Sequence, residues 1–384
     1  METSYLKSGK RILELDAARG ILMILMALDH SSSFIGNIHF SEMWALPMPD
    51  YGNSLLAFFT RWITHPCAPG FTFLMGTGMI LFVESRIKRG WKAHAMLRHF
   101  FIRGFILLFL SLTLENFFWN WGFLTKQGGP KWFIFFTIIS TLGISMMASS
   151  LLMKLRSLWL VIFSMICIIV TPFFLPLGLP IKEIAGQLSM SQILLFTPWE
   201  FKTFVGPIAF WVYPLMPWLS ITLLGIIFGR ILIKYGDGAF KKTGLVGGAF
   251  LLIFAAMRFA GSLANINTLK PNGLISFLSI TKYPPSITFI LLTLGILFLM
   301  LAMLNHFASH MSDKNPLVIF GRVPLFYYML HLALFSVMGK IISASGYAVA
   351  YGAWGTGIIL LYFPCKWYAR FKKSTSIDSI WRLF

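Results

Sequence analysis

Hydrophobic and polar positions alternate along this chain in long blocks rather than residue by residue. Apolar runs such as ITFILLTLGILFLMLAMLN and WLVIFSMICIIVTPFFLPLGL are separated by short basic segments. A helix of about 20 residues crosses the roughly 30 Å hydrocarbon core of a bilayer. The pattern therefore predicts ten membrane-spanning helices, at 15–38, 55–83, 99–119, 132–153, 157–178, 204–230, 243–263, 284–304, 316–340 and 347–365.

Composition supports this reading. Hydrophobic residues make up 57% of the 384 positions and charged residues only 12%. These values are typical of membrane proteins rather than soluble domains. The apolar runs leave no room for a soluble domain or a long linker. We therefore predict one all-α helical bundle over 1–384, with a tail at 1–14, the bundle at 15–365 and a second tail at 366–384.

The net charge of +19 invites a nucleic-acid interpretation, but the basic residues are spread over short loops. With the N-terminus placed in the cytoplasm, the tails and even-numbered loops carry 20 Lys and Arg residues and the opposite loops carry six. Loops rich in Lys and Arg face the cytoplasm. We therefore predict a multi-pass protein of the bacterial inner membrane with both termini cytoplasmic, and no nucleic-acid partner.

The first predicted helix carries ionisable residues that are expensive inside a bilayer and so mark candidate functional positions. Asp16, Arg19 and His30 fall within about 60° of one another at 100° per residue. Asp29 points about 100° away from His30, so we expect each to find a partner on another helix. The alternatives are an interfacial Asp16–Arg19 ion pair and a purely structural hydrogen bond for His30.

A second polar segment, RWITHPCAPGFTFLMGTG, begins at Arg61. Pro66 and Pro69 each remove a backbone donor and disfavour helix in the preceding residue. Irregular backbone at membrane depth is tolerated where protein or a water-filled cavity satisfies its polar groups. His65 lies directly at this break. A plain helix boundary with an interfacial His is the alternative.

Two further spans carry polar groups toward the outer half of the bilayer. Tyr327 and His331 share a helix face at i, i+4 in GRVPLFYYMLHLALF. Glu115 and Asn116 lie near the outer end of the third span. Four spans thus bring a His or Glu side chain to the same depth, and we predict that they form one site: His30, His65, His331 and Glu115.

The remaining candidate groups suggest two entrances to this site. Guanidinium groups suit phosphate oxygens, and four of them lie near the predicted cytoplasmic mouth: Arg19, Arg98, Arg103 and Arg322. On the outer face, ITKYPPS carries Lys282 and Tyr283 at a helix entry. The chain has no phosphate-binding loop or dinucleotide fingerprint. The three histidines have no close-spaced ligand partner, so we expect no metal site.

Four segments, RILELDAARGILMILMALDH, RWITHPCAPGFTFLMGTG, TKYPPSITFILLTLG and FGRVPLFYYMLH, give the chain a family resemblance. They resemble the bacterial relatives of heparan-α-glucosaminide N-acetyltransferase, within the transmembrane acyltransferase superfamily. The resemblance implies a helical bundle that binds acetyl-CoA from the cytoplasm and acetylates a sugar on the opposite side. His30 occupies the position of an active-site Asn of the animal enzyme, and His65 falls where that enzyme has an Asp.

The first functional hypothesis is a transmembrane acyltransferase that moves an acetyl group from acetyl-CoA to an amine or hydroxyl of an envelope sugar or glycolipid. His30 would act as general base or transient acyl acceptor, because an imidazole suits both tasks. His65 and His331 would assist proton transfer, and Asp29 and Glu115 would orient them. Two further sets are predicted: cofactor-binding Asp16, Arg19, Arg98, Arg103 and Arg322, and substrate-binding Arg61, Asn116, Lys282, Tyr283 and Tyr327.

Two alternatives stay open from the residues alone. The same His and carboxylate groups could relay protons in a proton-coupled transporter, and a non-enzymatic membrane scaffold is the third reading. Membrane lipid and acyl-CoA are the expected partners, a homodimer is left open, and the acceptor is not specified by the sequence. Appearance of a chemically modified acceptor separates the enzyme from the transporter, whose substrate crosses unchanged.

Overall fold

The computed structural model describes residues 11–38, 41–123, 133–179, 181–184, 187–203, 208–261, 265–266, 273–376 and 379–382. Helices dominate this part of the chain. They are α1 (Leu13–Phe34), α2 (Leu55–Trp62), α3 (Cys67–Ile87), α4 (Ala93–Phe123), α5 (Ile138–Leu152), α6 (Ser157–Val170), α7 (Ile181–Ile184), α8 (Met190–Leu195), α9 (Leu215–Tyr235), α10 (Gly238–Ala260), α11 (Leu274–Leu278), α12 (Ile287–His306), α13 (Pro316–Arg322), α14 (Pro324–Ile341) and α15 (Tyr347–Ser374).

The predicted fold class is confirmed. Within the described ranges, eight helical segments are long and apolar enough to cross a membrane. The 22-residue α1 and the 15-residue α5 bring the long helices of this part of the chain to ten. The protein is therefore a polytopic, all-α membrane protein.

Two of the predicted spans were wrong at their starts, where the chain forms strands instead of helix. The strands are β1 (Ile134–Phe136), β2 (Trp199–Lys202) and β3 (Ile208–Trp211), which form a sheet of order β1-β3-β2. β3 pairs parallel with β1 and antiparallel with β2. Aromatic and β-branched residues favour strands, so a window that counts only hydrophobicity cannot separate these segments from the adjoining spans.

Prolines set several other boundaries differently from the prediction. The span predicted at 55–83 is interrupted between α2 and α3, just before Pro66. The span predicted at 316–340 is split into α13 and α14 at Val323, which precedes Pro324 and has non-helical backbone angles, φ −130° and ψ 49°. By contrast, Pro364 lies inside α15, which continues to Ser374, beyond the bundle end predicted at 365.

α1 lies at the centre of the bundle and packs against α3, α12, α13, α14 and α15. Its contact with α13 is a direct approach of two backbones. A Cβ on Gly20 would overlap the carbonyl of Leu317, and a Cβ on Gly321 would overlap the carbonyl of Asp16. Small residues allow such close helix packing in membranes, so these two glycines fix α13 against the first helix.

This contact gives a stability prediction. Gly20→Ala forces the two helices apart, and overpacking of this kind costs about 1–3 kcal/mol, measured as a lower midpoint of thermal unfolding in detergent. Gly352→Ala is the matched control, because this glycine is also helical and its Cβ would meet nothing within 4 Å. There the better helix propensity of Ala should stabilise the protein by up to about 1 kcal/mol. Equal effects of both substitutions would contradict the packing argument.

Candidate active site

A pair of histidines from two helices lies in the middle of the site. Nδ1 of His30 on α1 is 2.6 Å from Nε2 of His331 on α14, and the two rings stack with centroids 4.9 Å apart. Nδ1 of His331 is 3.1 Å from the carbonyl oxygen of Tyr327. A carbonyl can only accept, so His331 carries its proton on Nδ1 and accepts the Nδ1 proton of His30 at Nε2. Neutral His30 then has its lone pair on Nε2, where it can act as a base.

A buried carboxyl group lies beside this pair. Glu115 is fully buried and accepts hydrogen bonds at Oε2 from Ser111 Oγ at 2.7 Å and from Thr137 Oγ1 at 2.5 Å. Ser111 and Glu115 bound a π-helical stretch of α4, a widened turn often found at functional sites. Oε1 of Glu115 contacts the hydroxyl of Tyr328.

Tyr328 connects Glu115 with the histidine pair. The centroid of its ring lies 6.1 Å from that of His30 and 5.2 Å from that of His331. Tyr328 was not among the predicted site residues, because the i, i+4 spacing to His331 selects Tyr327. The signal was present in the adjacent YY pair, but only the tertiary structure shows which hydroxyl faces a carboxyl group.

A second group of ionic side chains is organised around Arg61. Its Nη1 donates to Asp29 Oδ1 at 2.5 Å, while Nε and Nη2 donate to the two carboxylate oxygens of Glu42 at 2.8 and 2.6 Å. Such bidentate pairs are among the stronger hydrogen bonds in proteins. Asp29 directly precedes His30, so α1 links this ionic group to the histidine pair. As expected, each of the two residues has its partner on another helix.

Glu42 was not among the predicted site residues, because it lies in the irregular segment between α1 and α2. Its carbonyl oxygen accepts hydrogen bonds from the backbone N–H groups of Lys282 and Tyr283 at 3.0 and 3.1 Å. Burial alone raises the pKa of Glu42, but the positive charge of Arg61 and its hydrogen bonds outweigh burial and hold that pKa well below its ordinary value. Glu42 is therefore a carboxylate at neutral pH.

His65 belongs to the Arg61 group rather than to the histidine pair. Its Nε2 lies 3.5 Å from Glu42 Oε1. The buried Lys282 places its ammonium 5.1 Å from the centroid of the Tyr283 ring, whose hydroxyl is 3.2 Å from that of Tyr213. The four side chains predicted to meet in one site are thus divided between two neighbouring groups. The roles assigned to them stay predictions.

A large basic cavity opens at the end of the bundle where α1 begins. Its volume is about 890 Å³, and Tyr328, Leu107 and Ile138 form part of its lining. The four predicted phosphate contacts, Arg19, Arg98, Arg103 and Arg322, all line it. Five further cations were not among the predicted contacts: Arg11, Arg86, Lys372, Lys373 and Arg382. No carboxylate belongs to the lining within the described residues.

Asp16 does not line the cavity but supports its cations from behind. Its Oδ1 accepts from Arg19 Nη1 at 2.9 Å, and its Oδ2 lies 3.7 Å from Arg322 Nε. The ion pair with Arg19, an alternative left open by the sequence, is therefore present. Arg322 also pairs with Asp313, and the hydrogen bond from Arg322 lowers the pKa of Asp313. These carboxylates position two cations that face the cavity.

Two predicted substrate contacts have other partners in this structure. The amide of Asn116 donates to the carbonyl oxygens of Ser111 and Phe135 at 2.7 and 2.9 Å and accepts from the N–H of Phe135 at 2.7 Å. It thereby holds β1 against α4. The fully buried Tyr327 stacks on His331 with ring centroids 5.4 Å apart. For both residues, substrate binding stays a prediction.

The fold and these two polar groups define a multi-pass membrane protein with a buried site that a basic cavity reaches from one end. The family model described as heparan-alpha-glucosaminide N-acetyltransferase, catalytic, matches residues 11–243. This is more than half of the 384 residues, and the chain belongs to this family of transmembrane acetyltransferases. Tyr328 and His331 lie beyond the matched range. Comparison with curated proteins gives no match.

Proposed function

We propose that the protein transfers an acetyl group from acetyl-CoA to an amine or hydroxyl of a sugar on the opposite side of the membrane. One observation carries this proposal: a cavity lined by nine Arg and Lys side chains reaches Tyr328, whose ring flanks His30 and His331. Two carboxylates outside the lining, Asp16 and Asp313, contact four of these nine cations. The positive charges still outnumber them, so the cavity suits a ligand with several phosphates. Acetyl-CoA has that chemistry and ends in a thioester.

The proposed orientation places the basic end of the bundle in the cytoplasm of a bacterial cell, where acetyl-CoA is made. The excess of Lys and Arg in the tails and even-numbered loops supports it. The sugar or glycolipid acceptor then approaches from the outer side, where Arg61, Lys282 and Tyr283 gather. Membrane lipid surrounds the bundle.

In the proposed reaction, Nε2 of His30 takes the proton from the attacking amine or hydroxyl. The nucleophile bonds to the thioester carbonyl carbon, the C–S bond breaks, and CoA leaves as a thiolate that must gain a proton. His331 accepts the Nδ1 proton of His30 in a hydrogen bond and so orients the ring, a task that general-base catalysis requires. In the alternative route, Nε2 itself attacks the thioester and carries the acetyl group to the acceptor.

The test combines binding and product formation with purified protein in detergent. A ligand of the folded state raises the midpoint of thermal unfolding as its concentration rises, so acetyl-CoA and CoA should stabilise the protein more than a nucleotide lacking the pantetheine arm. Mass spectrometry of amino sugars incubated with acetyl-CoA should then reveal an acetylated product. Sugar that crosses a proteoliposome membrane unchanged in response to a pH gradient would favour the transporter instead.

Arg103→Gln is expected to weaken acetyl-CoA binding about 10- to 100-fold, because a hydrogen bond to a charged group contributes about 1.5–3 kcal/mol. Arg103 lines the cavity and pairs with no carboxylate in the described part of the chain. Arg89→Gln is the matched control, since Arg89 is exposed and lies outside that lining. The measurement is the dissociation constant from thermal-shift titrations. Equal affinities of the two variants would contradict the placement of the donor.

A further inference from the structure

Tyr328 lies where the cavity and the histidine pair meet. It is only 3% exposed, yet it lines the cavity, contacts Glu115 through its hydroxyl and flanks both His30 and His331. We infer that Tyr328 is a catalytic residue that protonates the departing thiolate, with Glu115 as the group that returns the proton. This inference rests on the proposed acetyl transfer and adds the acid that this reaction requires on the donor side.

The hydrogen bonds of Glu115 determine where its own proton lies. Oε2 accepts from both Ser111 and Thr137, so the proton of a neutral carboxylic acid occupies Oε1, which faces the hydroxyl of Tyr328. No Lys, Arg or His pairs with Glu115 within the described residues. A fully buried carboxyl group without a cation is best accommodated in its neutral form.

This arrangement leaves the phenolic hydrogen of Tyr328, a residue of the cavity lining, free to contact a ligand. When the neutral acid of Glu115 donates to the Tyr328 oxygen, the phenolic hydrogen no longer points at the carboxyl group and is available to a ligand. The ligand atom in question is the thioester sulfur, because the acyl end of the donor must come within reach of His30.

The step balances in atoms and charges. His30 takes one proton from the acceptor, the new C–N or C–O bond forms, and the C–S bond breaks with its electron pair on sulfur. Tyr328 gives its proton to that sulfur, and Glu115 gives its own proton to the phenolate oxygen. The products are the acetylated acceptor and the thiol of CoA. Transfer of the proton from His30 to Glu115 restores the starting state.

Tyr328→Phe tests this role, because it removes only the hydroxyl and keeps the ring that packs on the histidines. General-acid catalysis contributes about 10²- to 10⁴-fold, so kcat with acetyl-CoA should fall by about that factor while the dissociation constant stays within about threefold. Tyr351→Phe is the control. It also removes a hydrogen-bonded hydroxyl, the one 2.9 Å from Thr60 Oγ1, and Tyr351 does not line the cavity.

Comparing donors with different leaving groups shows whether Tyr328 acts as a general acid or only supports the structure. Two truncated donors are used, S-acetyl-N-acetylcysteamine, whose alkyl thiolate is basic, and S-acetylthiophenol, whose aryl thiolate leaves without protonation. The defect of Tyr328→Phe in kcat/KM should be at least about tenfold smaller with the aryl thioester, since protonation is then no longer needed. A merely structural role would lower both rates equally and would overturn the inference.

The outcomes also separate this inference from the proposed function. A wild-type protein that yields product while Tyr328→Phe matches it in kcat overturns the inference alone. A wild-type protein that binds no CoA species and yields no acetylated sugar overturns the proposed function and the inference with it. Thermal unfolding of each variant without ligand shows whether a lower rate reflects loss of the fold. The ratio of the kcat/KM values for the two thioesters does not depend on the folded fraction.

Discussion

His30→Ala is expected to abolish acetyl transfer while acetyl-CoA still binds. His30 does not belong to the cavity lining within the described residues, so the phosphate contacts stay in place when its ring is removed. Loss of the general base lowers the rate about 10²- to 10⁴-fold, and loss of an acyl-accepting nucleophile lowers it further. The measurements are product formation by mass spectrometry and the acetyl-CoA dissociation constant by thermal shift.

His306→Ala is the matched control for this experiment, because His306 is an exposed histidine at the end of α12 and does not line the cavity. Its activity should equal that of the wild type. Parallel loss of donor binding and of folding in His30→Ala would show that the imidazole mainly supports structure. An acetylated peptide containing His30, recovered after acid quenching of wild-type enzyme, would indicate the route through an acyl-enzyme.

Arg61→Ala is expected to cause the largest loss of stability. The substitution leaves Asp29 and Glu42 without the cation that both of them contact, and Glu42 is almost fully buried. Removing one partner of a buried ion pair costs about 3–5 kcal/mol, because the remaining charge is uncompensated. The midpoint of thermal unfolding in detergent should fall sharply, and Arg61→Lys should restore only part of it, since an ammonium cannot replace the bidentate pair.

Lys88→Ala serves as the comparison for Arg61, because it breaks an ion pair whose partners are far from buried. Lys88 Nζ lies 3.7 Å from Glu84 Oε1, with side chains 41% and 31% exposed. Such surface pairs contribute about 0–1 kcal/mol. A similarly small loss of stability in Arg61→Ala would contradict the free energy assigned to the buried ion pairs of Arg61.

The pH dependence of stability provides a second check on the Arg61 pair. Because the pKa of Glu42 is lowered in the folded state, its contribution is present above the ordinary Glu value of about 4.3 and is lost as the pH falls through the folded-state value.

Much of the fold followed from hydrophobic pattern, because membrane spans have a length and polarity that the sequence displays directly. Candidate residues that are regularly spaced along a helix could also be identified from the sequence. Tyr327 does stack on His331, and the arginines of the predicted mouth do line one cavity. The side chains that sequence reasoning missed lack such a spacing. Glu42 lies in an irregular segment and reaches Arg61 only through the tertiary fold.

The remaining differences have the same physical origin. Lys372 and Lys373 were assigned to a tail because the apolar run ends near 365, whereas the helix continues and brings both to the cavity. β1 and β3 stand at the starts of apolar segments that continue into helices. Hydrophobicity predicts that a residue is removed from water, but it does not specify which residues it contacts in the folded protein.

The glycine contact between α1 and α13 has a consequence for ligand affinity. Gly20 and Gly321 hold these helices backbone to backbone, and each helix carries one cation of the cavity, Arg19 and Arg322. The distance between these two cations is therefore fixed when the protein folds. The repulsion between the two like charges is also overcome at folding and not on binding. A preorganised site loses little conformational entropy on binding. The donor meets cations already in position, so loosening this helix contact should weaken phosphate binding without changing a single phosphate ligand.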